Sequence, residues 1–530
     1  MRGRAPLVVA LMACLLATGC IVLFREVPIK RVDPAAASPT STGTVFVGNA
    51  RAHLRDGSTV LFRDSVLITP TALVGVGAEY ALMQQSSRER TRVPLDSVVA
   101  LETFEQKDSP VLSFVVSTAL TGMGAGALLL TAKALFGSCP TIYTDDGTGP
   151  VLQAEGFSYA IAARFEHPDL DPINIVPDAN GILQFELRNE ALETHYINRL
   201  ALQAVRHVPG SLALPSQHQR AVIVSNLRAV RAIDRSGRDV SATLAARDES
   251  FYATPRERLD AVSEQDFDDW IDITVGDAAV SGEAGADSIA LVVRFRNSLL
   301  NTVLLYEGML SSGNATSWLT EGLEQNATAA RLAAWYGSTM GLRVEVGTAD
   351  ARRVLARIGD VGPIAFRDVA IVLPRSAIDA AGRVRLRFAA DNWRIDQIRA
   401  ARYDGPAAVE TLRERQVLVR SSESTMQRTS EPAAAQAIAT ADSSYLQTLP
   451  GQRLWVSFDA PTAQRGEEIS YLIAWQGWYR EWMRGEWLAQ SATAPPFEPG
   501  ARTLVAAMRK WSAGQAEFER VFYATKIPVR

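Results

Sequence analysis

The side chains able to do acid–base or metal chemistry are scattered along this chain rather than clustered. Five histidines, His53, His167, His195, His207 and His218, fall in no His-Glu-x-x-His or His-x-His arrangement, so zinc hydrolysis has no ligand set in the linear sequence. Cysteine occurs only as Cys14, Cys20 and Cys139. Cys139 has no Cys-x-x-Cys companion, and a buried thiol is the expectation there rather than a reactive or metal-bound one. The glycines of Gly122-Met123-Gly124-Ala125-Gly126 lack both the G-x-G-x-x-G spacing and a preceding strand, and neither a Walker A lysine loop nor a G-x-S-x-G elbow occurs. No catalytic residue, metal or cofactor is assigned. The acidic stretches EHPDLDP (166–172) and EQDFDDWIDI (264–273) could offer carboxylates to Ca²⁺, but they lack EF-hand spacing and read as solvated surface.

The aromatic composition points to binding instead. Six of the ten tryptophans lie between Trp455 and Trp511. In WQGWYREWMRGEW, Trp475, Trp478 and Trp482 recur at i, i+3 and i+7, with Trp487 close behind and Arg480 and Arg484 four apart. On a helix that spacing lines one face. The expectation is a docking face for a partner or a membrane, against two alternatives: packing on the chain's own β domain, and sugar stacking.

The elements that must position these residues begin with an export signal. Arg2 and Arg4 precede an apolar run, and small residues lead to Cys20. The ending Ala17-Thr18-Gly19-Cys20 resembles a bacterial lipobox with Ala17 where leucine is usual; lipid attachment at Cys20 is the expectation, an uncleaved anchor or simple cleavage the alternatives. A second apolar run from Val111 to Ala132 carries no formal charge over 22 residues. As a helix it would extend about 33 Å, enough to span a hydrocarbon core. Its glycines and hydroxyl residues also suit a buried helix. A true span would return everything beyond Lys133 to the cytoplasm, whereas a buried or re-entrant helix would leave the body outside.

At 530 residues the chain calls for several domains, and 47% apolar with 21% charged residues is ordinary for packed material. A net charge of −4 gives no field for a polyanion, so nucleic acid is excluded as a partner. Short β-type runs such as GILQFELRN, SIALVVRFRN and RVRLRFAADN are punctuated by Gly, Asn, Asp and Pro. The fold class they define is mainly β and multidomain, with β-sandwich or barrel-like domains, one long hydrophobic helix and a few amphipathic helices. The expected division is an export signal (1–20), a tether (21–44), a small β domain (45–108), the hydrophobic helix (109–137) and a first β domain (138–215). A central β-rich region of two subdomains (216–428), a connector (429–444) and a C-terminal Trp-rich α+β domain (445–530) complete it. Helices are expected over 318–337 and 475–488.

The stretch SCPTIYTDDG (138–147) resembles the S-C-P-x-x-Y-x-x-D-G element of uncharacterised bacterial envelope lipoproteins, in which it follows a hydrophobic run. The resemblance extends through LRNEALETHYINRLALQAVRHVPG, RFRNSLLN, VGPIAFRDVAIVLP, RLRFAADNWRIDQI and YLIAWQGWYREW. It implies location in the bacterial cell envelope and carries no activity. The paired Asp145-Asp146 departs from the pattern. Read physically, Pro140 ends any preceding helix and Asp-Asp-Gly makes a turn. The expected function is a non-enzymatic, membrane-anchored envelope protein with a periplasmic body, acting as scaffold or accessory subunit of a membrane assembly. Its expected partners are the membrane, through the Cys20 lipid and residues 111–132, and other envelope proteins. A carbohydrate-binding surface lipoprotein and a hydrolase whose site assembles only in three dimensions are the alternatives.

Overall fold

The computed structural model describes residues 25–26, 29–32, 43–47, 49–54, 58–62, 65–80, 88–104, 107–108, 139–191, 193–276, 287–305, 326–348, 351–420, 429–430, 432–448, 452–481 and 498–524. Cys20 and the run from Val111 to Ala132 lie outside them. Among the described residues no helix is long and apolar enough to cross a membrane.

The architecture is mainly β. The runs flanking Asp56-Gly57 pair antiparallel, with Ala50 opposite Phe62 and His53 opposite Thr59, inside an 8-stranded N-terminal sheet. Alternate side chains of its strands, among them Ala50, Ala52, Val60 and Phe62, form a small separate core.

The body consists of two β-sandwiches. One sheet of the first contains Thr141–Asp145, Pro150–Glu155, Ile182–Arg188, Arg453–Asp459 and Glu414–Arg420. The facing sheet contains His167–Ile173, Glu468–Glu481, Glu193–His207 and Val409–Thr411. Leu183, Phe185 and Val456 of one share a single core with Leu200, Ile473 and Trp475 of the other. The second sandwich packs two 5-stranded sheets around Ile271, Leu291, Val293, Leu386 and Ile395. Its strands run from Leu212–Pro215 to Trp393–Pro406, so it is inserted between the Glu193–His207 and Val409–Thr411 strands of the first.

This corrects the linear division. Residues 138–215 and 445–530 are not separate domains: Ile182–Arg188 pairs residue for residue with Arg453–Asp459, and Glu193–His207 pairs with Glu468–Glu481 along its length. The connector contains the helix Pro432–Ala439, whose Ala434 and Ile438 are buried in the first core. The helix read over 318–337 is described as Asn326–Thr339. The C-terminal helix Ala501–Ala524 buries Leu504, Met508, Trp511 and Phe518 in the first core, and Trp511 Nε1 donates to Asp391 Oδ2 of the second sandwich at 2.6 Å.

Candidate functional site

The tryptophan face is corrected first. Residues 468–481 form a 14-residue strand, not a helix. Ile469, Ile473 and four aromatics favour the pleated state, and Gly477 would weaken a helix by about 1 kcal/mol. Trp475 and Trp478 are 1% and 0% exposed, so neither offers a surface. Trp475 packs on Phe157, while Trp478 stacks flat on Tyr196 with ring centroids 4.0 Å apart. Gly477 is required there, since a Cβ would meet the Tyr196 carbonyl at 2.4 Å and the Phe157 ring at 2.6 Å. The chain's own N-terminal sheet covers the end of this strand: Arg51 donates to the Glu481 carbonyl at 3.2 Å, His53 Nδ1 lies 3.1 Å from the Tyr196 hydroxyl, and Arg480 reaches Thr59. Trp482 and Trp487 lie outside the described residues.

The other singled-out residues are also interior. Cys139 is buried, and burial followed by the charges of Glu155, Glu193 and Glu481 pushes its thiol well up, so it stays protonated. His195 is fully enclosed, and burial lowers its pKa to about 3, leaving it neutral. Among the described residues no three His, Cys, Asp or Glu side chains converge as a metal site.

The acidic stretches are corrected too. Asp269 is fully buried, accepting from Tyr252 and Thr254 hydroxyls at 2.9 and 2.7 Å. Asp169 and Asp171 lie buried on the strand His167–Ile173 and hold Arg367, which donates 2.9 Å hydrogen bonds to each. Trp475 Nε1 adds a 2.7 Å bond to Asp171. Burial tends to raise both carboxyls. Arg367 and His167 outweigh it at Asp169, whereas burial and the Asp169 charge push Asp171 up to about 7. Arg367 opens a strand of the second sandwich, so this buried node ties one sandwich to the other.

Beside that seam lies a cavity of about 280 Å³, walled by apolar side chains such as Ile161, Phe165, Leu304 and Leu332. Its polar floor is built by three elements. The turn after Pro150–Glu155 brings Ser158 and Tyr159, with Phe157 and Tyr159 both in left-handed backbone at φ 60° and 61°. The short helix Leu300–Val303 brings Asn301, and the segment after Arg353–Ile358 brings Asp360. Tyr336, from the helix Asn326–Thr339, tilts against Tyr159 with ring centroids 4.9 Å apart.

Asp360 Oδ1 accepts from Asn297 Nδ2 at 2.8 Å and Asn392 Nδ2 at 3.4 Å. Asn297 Oδ1 in turn accepts from the backbone of Val361 and Gly362 at 2.7 and 3.1 Å, which fixes the loop carrying Asp360. Several buried polar atoms on this floor have no hydrogen-bond partner: Asp360 Oδ2, both amide atoms of Asn301, Ser158 Oγ and the hydroxyls of Tyr159 and Tyr336. Burial raises Asp360 to about 6, partly offset by Tyr336 and the neighbouring asparagines. Burial, with the nearby Asp360 charge, pushes both tyrosine hydroxyls far up.

Sequence reading singled out none of these floor residues, because they stand in no motif. The signal available was indirect: Asn297 and Asn301 belong to RFRNSLLN, Gly362 to VGPIAFRDVAIVLP and Asn392 to RLRFAADNWRIDQI. These segments meet at the cavity, and Cys139 lies beside Tyr479 in a smaller recess that shares Ser158 and Tyr159 with it.

No family model matches the chain, and no curated protein matches it. Among solved structures it is similar, at 9% identity, to one of infectious bursal disease virus Gx strain, covering 92% of this chain and 86% of that one with a TM-score of 0.12. A second, the infectious bursal disease virus VP2 subviral particle, is also 9% identical, covering 97% and 98% with a TM-score of 0.11. Likeness at these scores carries no argument about fold or function.

Proposed function

We propose that this chain is a non-enzymatic, membrane-anchored protein of the bacterial envelope, whose β body serves as a rigid scaffold or accessory subunit of a membrane assembly. The observation that carries the reading is the buried Arg367–Asp169–Asp171 node, which locks two sandwiches into one unit. The same use of charge recurs within the second sandwich, where Arg294 bridges Asp396 and Asp368 at 2.8 and 3.3 Å and Arg387 holds Asp268 at 2.8 Å. These pairs join strands distant in sequence and present no nucleophile to a substrate. A body stiffened in this way suits holding partners at fixed spacing. The signal-like N-terminus ending in Cys20 supports membrane anchoring. Trp475 and Trp478 are enclosed and cannot stack on a sugar, which favours the scaffold reading over carbohydrate binding at these two residues.

The test is fractionation of cells expressing the full chain or its Cys20→Ala variant, followed by cross-linking of washed membranes. The proposal expects the unaltered chain in membranes, cross-linked to a membrane protein in fixed stoichiometry, and loss of lipid attachment in the variant. Recovery of the unaltered chain as a free soluble monomer would overturn it.

A further inference from the structure

The cavity floor combines features that the scaffold reading does not use. Asp360 presents a carboxylate oxygen, Oδ2, that is shut off from solvent and met by no donor in good hydrogen-bonding geometry, although Tyr336 and Asn301 lie close enough to hold the carboxyl's pKa down in part. Among the described residues no arginine, lysine or histidine forms an ion pair with this side chain. His167 lines the same cavity, but its Nδ1 lies 2.9 Å from the Phe165 carbonyl and its Nε2 is turned to Asp169 at 3.8 Å. A buried anion without a counter-charge is costly, and burial accordingly raises Asp360 to about 6; a cation at this position would relieve that cost. Asn301 sharpens the point: it is 0% exposed, lines the cavity beside Asp360 and Tyr159, and neither its Oδ1 nor its Nδ2 reaches a partner in good hydrogen-bonding geometry.

The unfilled groups define the ligand's chemistry. Asp360 Oδ2 and Asn301 Oδ1 can only accept, and the hydroxyls of Ser158, Tyr159 and Tyr336, which can donate or accept, line the same cavity. A primary ammonium has three N–H donors and one positive charge, which matches such a set; a carboxylate or phosphate would be repelled by Asp360. The tilted rings of Tyr159 and Tyr336, with Trp335 edge-on to Tyr336 at 6.5 Å, provide negative π-faces beside the same position. Above the floor the wall is aliphatic and aromatic, so the rest of the ligand is apolar. A volume of about 280 Å³ lies just below the usual small-molecule range, limiting the ligand to a compact body. Ala333, Gly337 and Gly359, all solvent-exposed, border the mouth and give a way in.

We propose that this cavity is a binding site for a small apolar primary amine, held as its ammonium by Asp360 and Asn301 beside the packed rings of Tyr159 and Tyr336. The site goes beyond the scaffold role and stands or falls separately from it.

Titration calorimetry of the full detergent-solubilised chain with phenethylamine and with 2-phenylethanol, its neutral counterpart, tests the proposal. Saturable one-to-one binding of the amine, at least tenfold tighter than the alcohol, is expected. Asp360→Asn should weaken the amine at least tenfold while leaving binding of the alcohol in place, and Tyr336→Phe should weaken it severalfold. Lowering the pH from 7 to 5 should weaken the amine roughly tenfold as Asp360 takes up its proton near pH 6. Tyr159, Tyr336 and Cys139 stay protonated over that range, and the Asp360→Asn variant separates any contribution of His167. Absence of saturable amine binding, or equal affinity for amine and alcohol, would overturn the proposal. The amine–alcohol comparison on the unaltered chain does not depend on any variant folding.

Discussion

Gly362 sits where three constraints meet. Its backbone is left-handed at φ +95°, its amide donates to Asn297, and a Cβ would lie 2.4 Å from the Glu155 carboxyl and 2.8 Å from Ser158 Oγ. Gly362→Ala should therefore destabilise the fold by on the order of 2 kcal/mol or more, read from urea unfolding; a change below about 0.5 kcal/mol, the usual surface range, would contradict the packing described. Arg367→Ala leaves Asp169 and Asp171 buried without their cation and should cost roughly 3–5 kcal/mol. Asp360 contributes a pH dependence of definite sign. Its folded pKa, about 6, lies above the unfolded value, so the native state binds a proton that the unfolded chain releases. Its contribution to stability is full below pH ~4 and is lost as pH rises through about 6. Urea midpoints at several pH values should fall less steeply over that window for Asp360→Asn than for the unaltered chain; identical slopes would show that this carboxyl does not titrate there.

At the scale of elements, the strand Glu468–Glu481 decides how the body closes. Trp478→Ala should cost about 3–5 kcal/mol by emptying the space over Tyr196, and thermal unfolding should show it directly. Selective loss of a partner with unchanged stability would restore the docking face expected from the i, i+3, i+7 spacing. That spacing misleads for a physical reason. Periodicity reports a face only when one side is solvated, and this strand is enclosed on both sides, so an aromatic run carries no period to read. The alternating strand GILQFELRN was legible because its polar and apolar residues take different environments, and SIALVVRFRN was legible as a short solid run of β-branched and apolar residues. EHPDLDP failed in the opposite way. Its aspartates look like a solvated turn until Arg367, 198 residues from Asp169, reaches them, and no local pattern encodes a partner that distant. The cavity floor was hidden likewise, since Ser158, Asn301, Tyr336 and Asp360 are brought together only by the folding of the seam.

At the scale of the molecule, a sandwich whose two halves are separated by an inserted second sandwich must wait for its C-terminal strands to close. The mainly β character was readable from short runs and turns; this interruption was not, because pairing order leaves no trace in local composition. The N-terminal sheet joins the body through polar contacts, including Arg51 to the Glu481 carbonyl and Gln447 Nε2 to the Leu54 carbonyl at 2.7 Å. Arg51→Ala should loosen this joint, so that limited proteolysis separates the N-terminal sheet while the two sandwiches remain a resistant core; an unchanged digestion pattern would mean that the joint rests elsewhere. On the proposed function the locked body works as a subunit of a membrane assembly. The most direct measurement is the native mass of the protein extracted from its own membranes in mild detergent. A discrete complex larger than the chain, containing a membrane protein partner in fixed ratio, is expected. A homogeneous free monomer under the same extraction would contradict it.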